Sequence, residues 1–232
     1  VIRDTGSLSG AGTTVVASGM ITVGSGSAGS VVAGGALTSG NGRDLVVYDA
    51  HTGFERRNTS ANNVSLRIDS LIRDNGPTPV AFVAAGPANV SAMMLASGGA
   101  TALTQPTNEY SGGTYVVDAA LEPAGDRSLG AVPAAPETNI VTAGMALLRA
   151  KKSAWPLDLH ANRGICLRGG CLALTGDDNN QIGVVITRVN GSVSGHGALV
   201  FNPWAGGGVG SVIELTGDNR AFEGTYAVHG IL

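Results

Sequence analysis

Lysine occurs only at Lys151 and Lys152, and charged residues make up 13% of the 232-residue chain, about half the usual share. With a formal net charge of -3, the sequence has no basic footprint. Nucleic acid is therefore not an expected partner, nor is electrostatic docking on an anionic membrane. Aromatic residues are also scarce, at 4% against 43% hydrophobic residues overall. A core must be built from Val, Leu, Ile and Ala, which suit narrow stacked layers. No run approaches the roughly 20 apolar residues of a transmembrane helix, so no membrane insertion by this segment is expected. The N-terminus lacks the charged and apolar regions of a signal peptide. Only two cysteines are present, and His160 and His196 offer no metal-ligand spacing with them. No cofactor is expected.

What the chain does have is glycine, 36 residues of it, between short β-branched runs. Thr13-Thr14-Val15-Val16, Met20-Ile21-Thr22-Val23 and Ser30-Val31-Val32 recur at strand spacing, broken by Gly and Ser. A helix would lose about 1 kcal/mol at each interior Gly. Residues 64–72 alternate apolar and polar at period two, as a half-buried strand does. Residues 89–97 and 145–152 have helical propensity but are short and bounded by Gly, and strands are expected there. A polar insertion interrupts the pattern near 48–62. The stretch Asn108-Glu109-Tyr110-Ser111-Gly112-Gly113-Thr114-Tyr115-Val116-Val117 returns as Asn219-Arg220-Ala221-Phe222-Glu223-Gly224-Thr225-Tyr226-Ala227-Val228, 111 residues later. Both copies read Asn, an aromatic, Gly, then Thr-Tyr-x-Val, a turn followed by a β-favouring run. The spacing predicts a super-unit of several coils in a solenoid, each coil burying its apolar face against its neighbours. On this reading a charge at Val117 or Val228 breaks the stack locally. The expected fold is all-β, a right-handed parallel β-helix (β-solenoid) over 1–232. Its ends fall in mid-pattern, as in a segment of a longer chain, and leave strand edges as templates for further pairing.

The first copy, with Thr107 before it and Leu121 closing the strand after it, resembles the passenger-associated, or autotransporter-associated, β-strand repeat. Its common form is Asn-Thr-Tyr-x-Gly-Gly-Thr followed by a strand ending in Leu. Ser128-Leu129-Gly130-Ala131-Val132-Pro133 and His160-Ala161-Asn162-Arg163-Gly164-Ile165 are similar to recurring phrases of long bacterial surface proteins. The second copy departs from the form at Arg220-Ala221-Phe222 and at Glu223. The resemblance implies a right-handed parallel β-helix, export, and an extracellular or outer-surface location. It brings no catalytic residues, so no enzyme is expected. The function it implies is a structural or adhesive scaffold; the strand edges at the two ends add that the segment either neighbours further repeats of the same chain or stacks end to end with copies of itself into a filament.

Other constellations carry weaker chemistry. Cys166 and Cys171 flank Leu167-Arg168-Gly169-Gly170, and either close a small disulfide ring or stand as reduced thiols. His51, Phe54, Arg56 and Arg57 sit in the polar insertion, the kind of loop through which solenoids contact partners. Asp177-Asp178-Asn179-Asn180 reads as an Asx-rich turn or as a site for Ca²⁺ or substrate. Asp158, Arg163, Asp177 and Trp204 are the scattered candidates for the competing function, a module that binds or degrades polysaccharide, with surface glycans as partners.

Overall fold

The computed structural model describes residues 7–24, 29–50, 64–86, 100–151, 156–177, 184–201 and 210–228. The protein is all-β, 63% strand and 2% helical, and its strands pair in parallel.

Successive passes of the chain lay down the strands in a repeating order. The first pass is β1 (Ser7–Ser9), β2 (Thr13–Val16) and β3 (Met20–Val23). The second is β4 (Ser30–Ala33), β5 (Ala36–Ser39) and β6 (Asp44–Asp49), and the third β7 (Val64–Ile68), β8 (Leu71–Ile72) and β9 (Ala81–Ala85). Then come β10 (Ala100–Leu103) and β11 (Thr114–Val117), followed by β12 (Ala120–Pro123), a 3-10 turn (Asp126–Leu129) and β13 (Glu137–Ala143). The last passes contain β14 (Met145–Lys151), β15 (Leu157–Leu159), β16 (Arg163–Asp177), β17 (Val184–Val189), β18 (Val193–Phe201), β19 (Gly210–Leu215) and β20 (Phe222–Val228).

Each strand pairs with its counterpart one pass away, which sorts the strands into three ladders. Ladder A runs β3-β6-β9-β11-β13-β16, and ladder B runs β1-β4-β7-β10-β12-β14-β16. Ladder C exists as two pieces, β2-β5-β8 and β15-β17-β19. The 15-residue β16 belongs to both A and B, as do β18 and β20, so A and B join into one 14-stranded sheet. β16 changes ladder at Gly169 and Gly170, both with positive φ. A Cβ at Gly170 would lie 2.0 Å from the Gly144 carbonyl oxygen, so only glycine allows that corner.

The pairing register fixes the repeat. Met145 pairs with Cys171, Cys171 with Ala198 and Ala198 with Thr225, so the later passes take 26 or 27 residues each. Earlier passes vary: Ser30 pairs with Leu66 and Ala100 with Ala120. The 111-residue super-unit expected from the sequence is therefore not the repeat. Its two copies are also not equivalent. Thr114 pairs with Ile140 in ladder A and is buried. Thr225 pairs with Ala198, in ladder B's register, and is exposed. The sequence likeness runs across a change of register, and in a strand such a shift reassigns which face each side chain takes.

The core lies inside the three ladders and is aliphatic, as the composition requires. Leu121, Leu148 and Leu174 stack on successive rungs, all buried, as do Leu172 and Leu199. Full burial of such a side chain is worth about 1.5–3 kcal/mol. Residues 145–151 form strand β14, because the chain there must supply the next rung of ladder B, which overrides local helical propensity. The other helix-prone stretch, 89–97, lies outside the described residues.

Side chains at the corners tie one pass to the next. Asn75 Nδ2 donates to the Ser39 carbonyl at 3.0 Å, Ser70 Oγ to the Gly34 carbonyl at 2.8 Å and Gln105 Nε2 to the Asp69 carbonyl at 2.9 Å. All three reach 36 residues back, the length of one early pass. Here the two motif copies do act alike. Asn108 Oδ1 accepts from the Ile72 amide and Asn219 Oδ1 from the Val193 amide, each at 2.8 Å.

Candidate functional site

The densest polar chemistry is buried where ladder C lacks a strand, between β8 and β15. The 3-10 turn and the segment around Tyr110 fill that gap. Arg163, at the start of β16, is 0% exposed, and each of its five guanidinium N–H groups has an acceptor. Nε donates to Asp126 Oδ1 at 2.9 Å. Nη1 donates to the Leu129 carbonyl at 2.9 Å and to Asn139 Oδ1. Nη2 donates to the Gly130 carbonyl at 3.1 Å and reaches Asp126 Oδ2 at 3.5 Å. The Asp126 side chain keeps 15% of its surface open and also accepts from the His160 amide at 3.0 Å.

Tyr110 completes the cluster from the β8 side. Its hydroxyl bonds Thr114 Oγ1 at 2.8 Å, and Thr114 donates onward to the Leu129 carbonyl at 3.0 Å. Its ring lies 6.0 Å from that of Phe82. Burial raises the phenol pKa well above its ordinary value, against the smaller opposing pull of the Thr114 hydrogen bond and the Arg163 charge. The phenol is neutral throughout the physiological range. Every partner is internal, so the cluster locks the 3-10 turn and two passes together. Its chemistry is structural.

The three outward faces differ in kind. On ladder C, Asp158, Arg188 and Glu214 occupy consecutive rungs. Arg188 Nε donates to Glu214 at 2.5 Å and Nη1 to Asp158 at 3.1 Å, and these bonds, first that to Glu214, raise the Arg188 pKa. Ladder B buries part of its outward side, where Ala102, Glu122, Arg149 and Ala173 are covered and Glu122 and Arg149 form an ion pair, while Arg67, on the rung beside Ala102, is exposed and paired with Asp69. The outward row of ladder A carries no charge from β3 to β16, reading Met20, Val46, Val83, Tyr115, Val141 and Cys166 on successive rungs.

The residues singled out from the sequence do not converge. Asp158 is tied to Arg188, while Arg163, a candidate for a sugar-facing groove, is wholly internal. Asp177 ends β16, and His51, Phe54, Arg56, Arg57, Asp178, Asn179, Asn180 and Trp204 lie outside the described residues. The Cys166–Cys171 bridge is not formed; both thiols are free and half-buried. The two residues sit on either side of the Gly169-Gly170 corner, each on its own rung, Cys166 beside Val141 and Cys171 beside Met145. Desolvation raises the Cys171 pKa, which keeps that thiol protonated and a poor nucleophile. Gly113 is left-handed, with φ at 86°, as a turn glycine can be. Gly224 is not left-handed; it is required because a Cβ would meet the Gly197 carbonyl at 2.3 Å. Tyr115 faces outward, whereas Phe222 and Tyr226 pack together at 5.0 Å. Among the described residues no group of three or more His, Cys, Asp or Glu is placed to hold a metal ion, and no helix is long and apolar enough to cross a membrane. The sequence reading missed Asp126 and Asn139 as partners of Arg163. The signal available was the rarity of cations, since an isolated Arg among strand-forming residues needs local acceptors.

Comparison with known proteins adds no identity. No protein-family model matches the chain, and no curated protein or solved structure matches it.

Proposed function

We propose that the chain is a right-handed parallel β-solenoid that serves as a rigid structural or adhesive segment of an exported bacterial surface protein. The observation that carries this reading is the register. Three parallel ladders advance by one pass at each pairing, and corner side chains bind backbone groups one pass back. Such a body resists bending because hydrogen bonds run along its length and the core is one continuous column. The motif at 108–117 and its resemblance to the autotransporter-associated repeat support the surface location.

The chemistry found fits a scaffold. The buried cluster around Arg163 is fully occupied by internal partners, and on the exposed row of ladder C Arg188 is held by Asp158 and Glu214. Immunogold electron microscopy of intact cells of the source bacterium tests the location. Labelling on the outer surface or on extracellular fibres supports the reading. Label reached only after the cells are permeabilised would refute it.

A further inference from the structure

Two outward rows of ladder A carry no charge from β3 to β13. Beside the row that runs from Met20 to Val141 lies a second, two residues further along each strand: Thr22, Tyr48, Ala85, Val117 and Ala143. Charge begins only beyond them, at Asp44 on one flank and at Arg168, His196 and Glu223, which hold consecutive rungs toward β20. Of the described aromatics, Phe82 and Tyr110 are buried, and Phe201, Phe222 and Tyr226 pack on one another. Tyr48 and Tyr115 remain, and both stand on these rows, Tyr48 37% exposed and Tyr115 half-buried. Tyr48 has Thr22 and Ala85 as its row neighbours, short side chains that leave the ring uncrowded. Tyr115 lies two rungs on and two residues back along the strand, a backbone separation of about 12 Å.

We propose that this face binds a neutral, extended polysaccharide, with Tyr48 and Tyr115 as two stacking positions under one glycan chain. The proposal rests on the adhesive half of the proposed function and supplies its ligand class. In a β-linked pyranose polymer the ring faces are C–H surfaces and the hydroxyls point sideways. Tyrosine rings take such faces by contact, and their phenol hydroxyls reach the polar edges. The lack of charge selects the partner: an acidic glycan finds no cation on these rows and meets a chain of net charge -3, whereas a neutral polymer loses nothing. Size selects too. Five rungs by two rows cover about 24 by 13 Å, roughly 300 Å², where a stable protein partner takes about 800 Å² a side. A flat plate of that extent fits sugar chains lying side by side, as in an insoluble glycan.

The test measures depletion of the purified full chain from solution by microcrystalline cellulose and by chitin, two neutral β-linked polysaccharides. Saturable retention on at least one of them, undiminished by high salt, is the expected result. Tyr48→Ala and Tyr115→Ala should each weaken it about 2- to 12-fold, the range for one aromatic contact, and the double variant should abolish it. Tyr48→Phe keeps the ring and should retain most of the binding, while Tyr48→Lys, a change at an exposed position that leaves the circular-dichroism melt intact, should release the chain. Arg220→Ala, away from these rows, should bind as wild type. A wild-type chain retained by neither polymer overturns the proposal. So does retention that Y48K and Y48A leave unchanged, or equal uptake by polystyrene beads, because that is adsorption to any apolar surface. Each of these failures leaves the scaffold reading standing, since its own test is the surface label. Label confined to permeabilised cells, with glycan retention intact, would strike the location and not the site.

Discussion

Replacing Arg163 by Met keeps an unbranched apolar stem and removes every hydrogen bond that Arg163 donates. What remains is the Asp126 carboxylate, mostly buried, together with the Leu129 and Gly130 carbonyls and the Asn139 side chain, all facing an apolar thioether. Removing one partner of a buried ion pair costs about 3–5 kcal/mol, since the other charge is left uncompensated. For a chain of this size each kcal/mol moves the melting temperature by roughly 2–4 °C, so R163M should melt about 6–20 °C lower. Arg163→Lys keeps the charge but not the planar fork, and cannot serve acceptors on both sides; its loss should fall between R163M and wild type. Asp126→Asn in the R163M background should restore part of the loss, giving a coupling in the double-mutant cycle. The assay is thermal unfolding followed by far-ultraviolet circular dichroism, with Arg220→Ala as control, because the Arg220–Asp218 pair is an exposed surface ion pair that contributes little to stability. An R163M melt within 2 °C of wild type would refute the view that this cluster locks the passes together.

Other expectations follow from the same contacts. Leu174→Asp, inside the core column, should abolish the cooperative melt, whereas Val228→Asp should leave it within about 1 kcal/mol; equal effects would contradict the assigned interior. Gly170→Ala should destabilise more than Gly42→Ala, although both have positive φ, because only Gly170 has a carbonyl oxygen in the way; denaturant midpoints compare them. Arg188→Ala should lower the melting temperature only slightly, with the difference shrinking between low and 1 M salt; a salt-independent loss would contradict an exposed ion row. The Asp218 carboxyl, held down to about 2 by Arg220, should titrate near that value by carbon-detected NMR. Because its pKa is lowered on folding, whatever it contributes is present above the ordinary Asp range and is lost as pH falls through about 2. A midpoint near 4 would mean the Arg220 contact is absent.

The strand composition, the aliphatic core and the parallel stacking were legible in the sequence because they follow from period, glycine spacing and the shortage of aromatics. Register was not. Val117 reads from the sequence as an interior position, yet it faces outward and Val116 faces in, since a one-residue shift exchanges the two faces of a strand. The likeness of Thr114-Tyr115 to Thr225-Tyr226 misled for the same reason. Two identical phrases can sit in different ladders when the passes between them vary in length. Asn108 and Asn219 read in the sequence only as turn residues; that both accept from a backbone amide one pass back, of Ile72 and of Val193, is visible only in the stacked structure. The Arg163 cluster was not legible either, since its partners Asp126 and Asn139 are brought together only by the pairing of β13 with β16.

The measurement that bears most directly on the account is the distance between spin labels along the outward row of ladder A. Met20, Val46, Val83, Tyr115, Val141, Cys166 and Ser194 occupy successive rungs, and neighbouring strands are about 4.8 Å apart. With native cysteines replaced, labels at Met20 and Ser194, six rungs apart on that row, should have backbone positions about 29 Å apart, and the Met20–Val141 pair, four rungs apart, about 19 Å. Distances that grow linearly with the number of passes are the predicted result. Separations that follow sequence distance, or that fail to increase from one rung to the next, would contradict a stack of in-register passes.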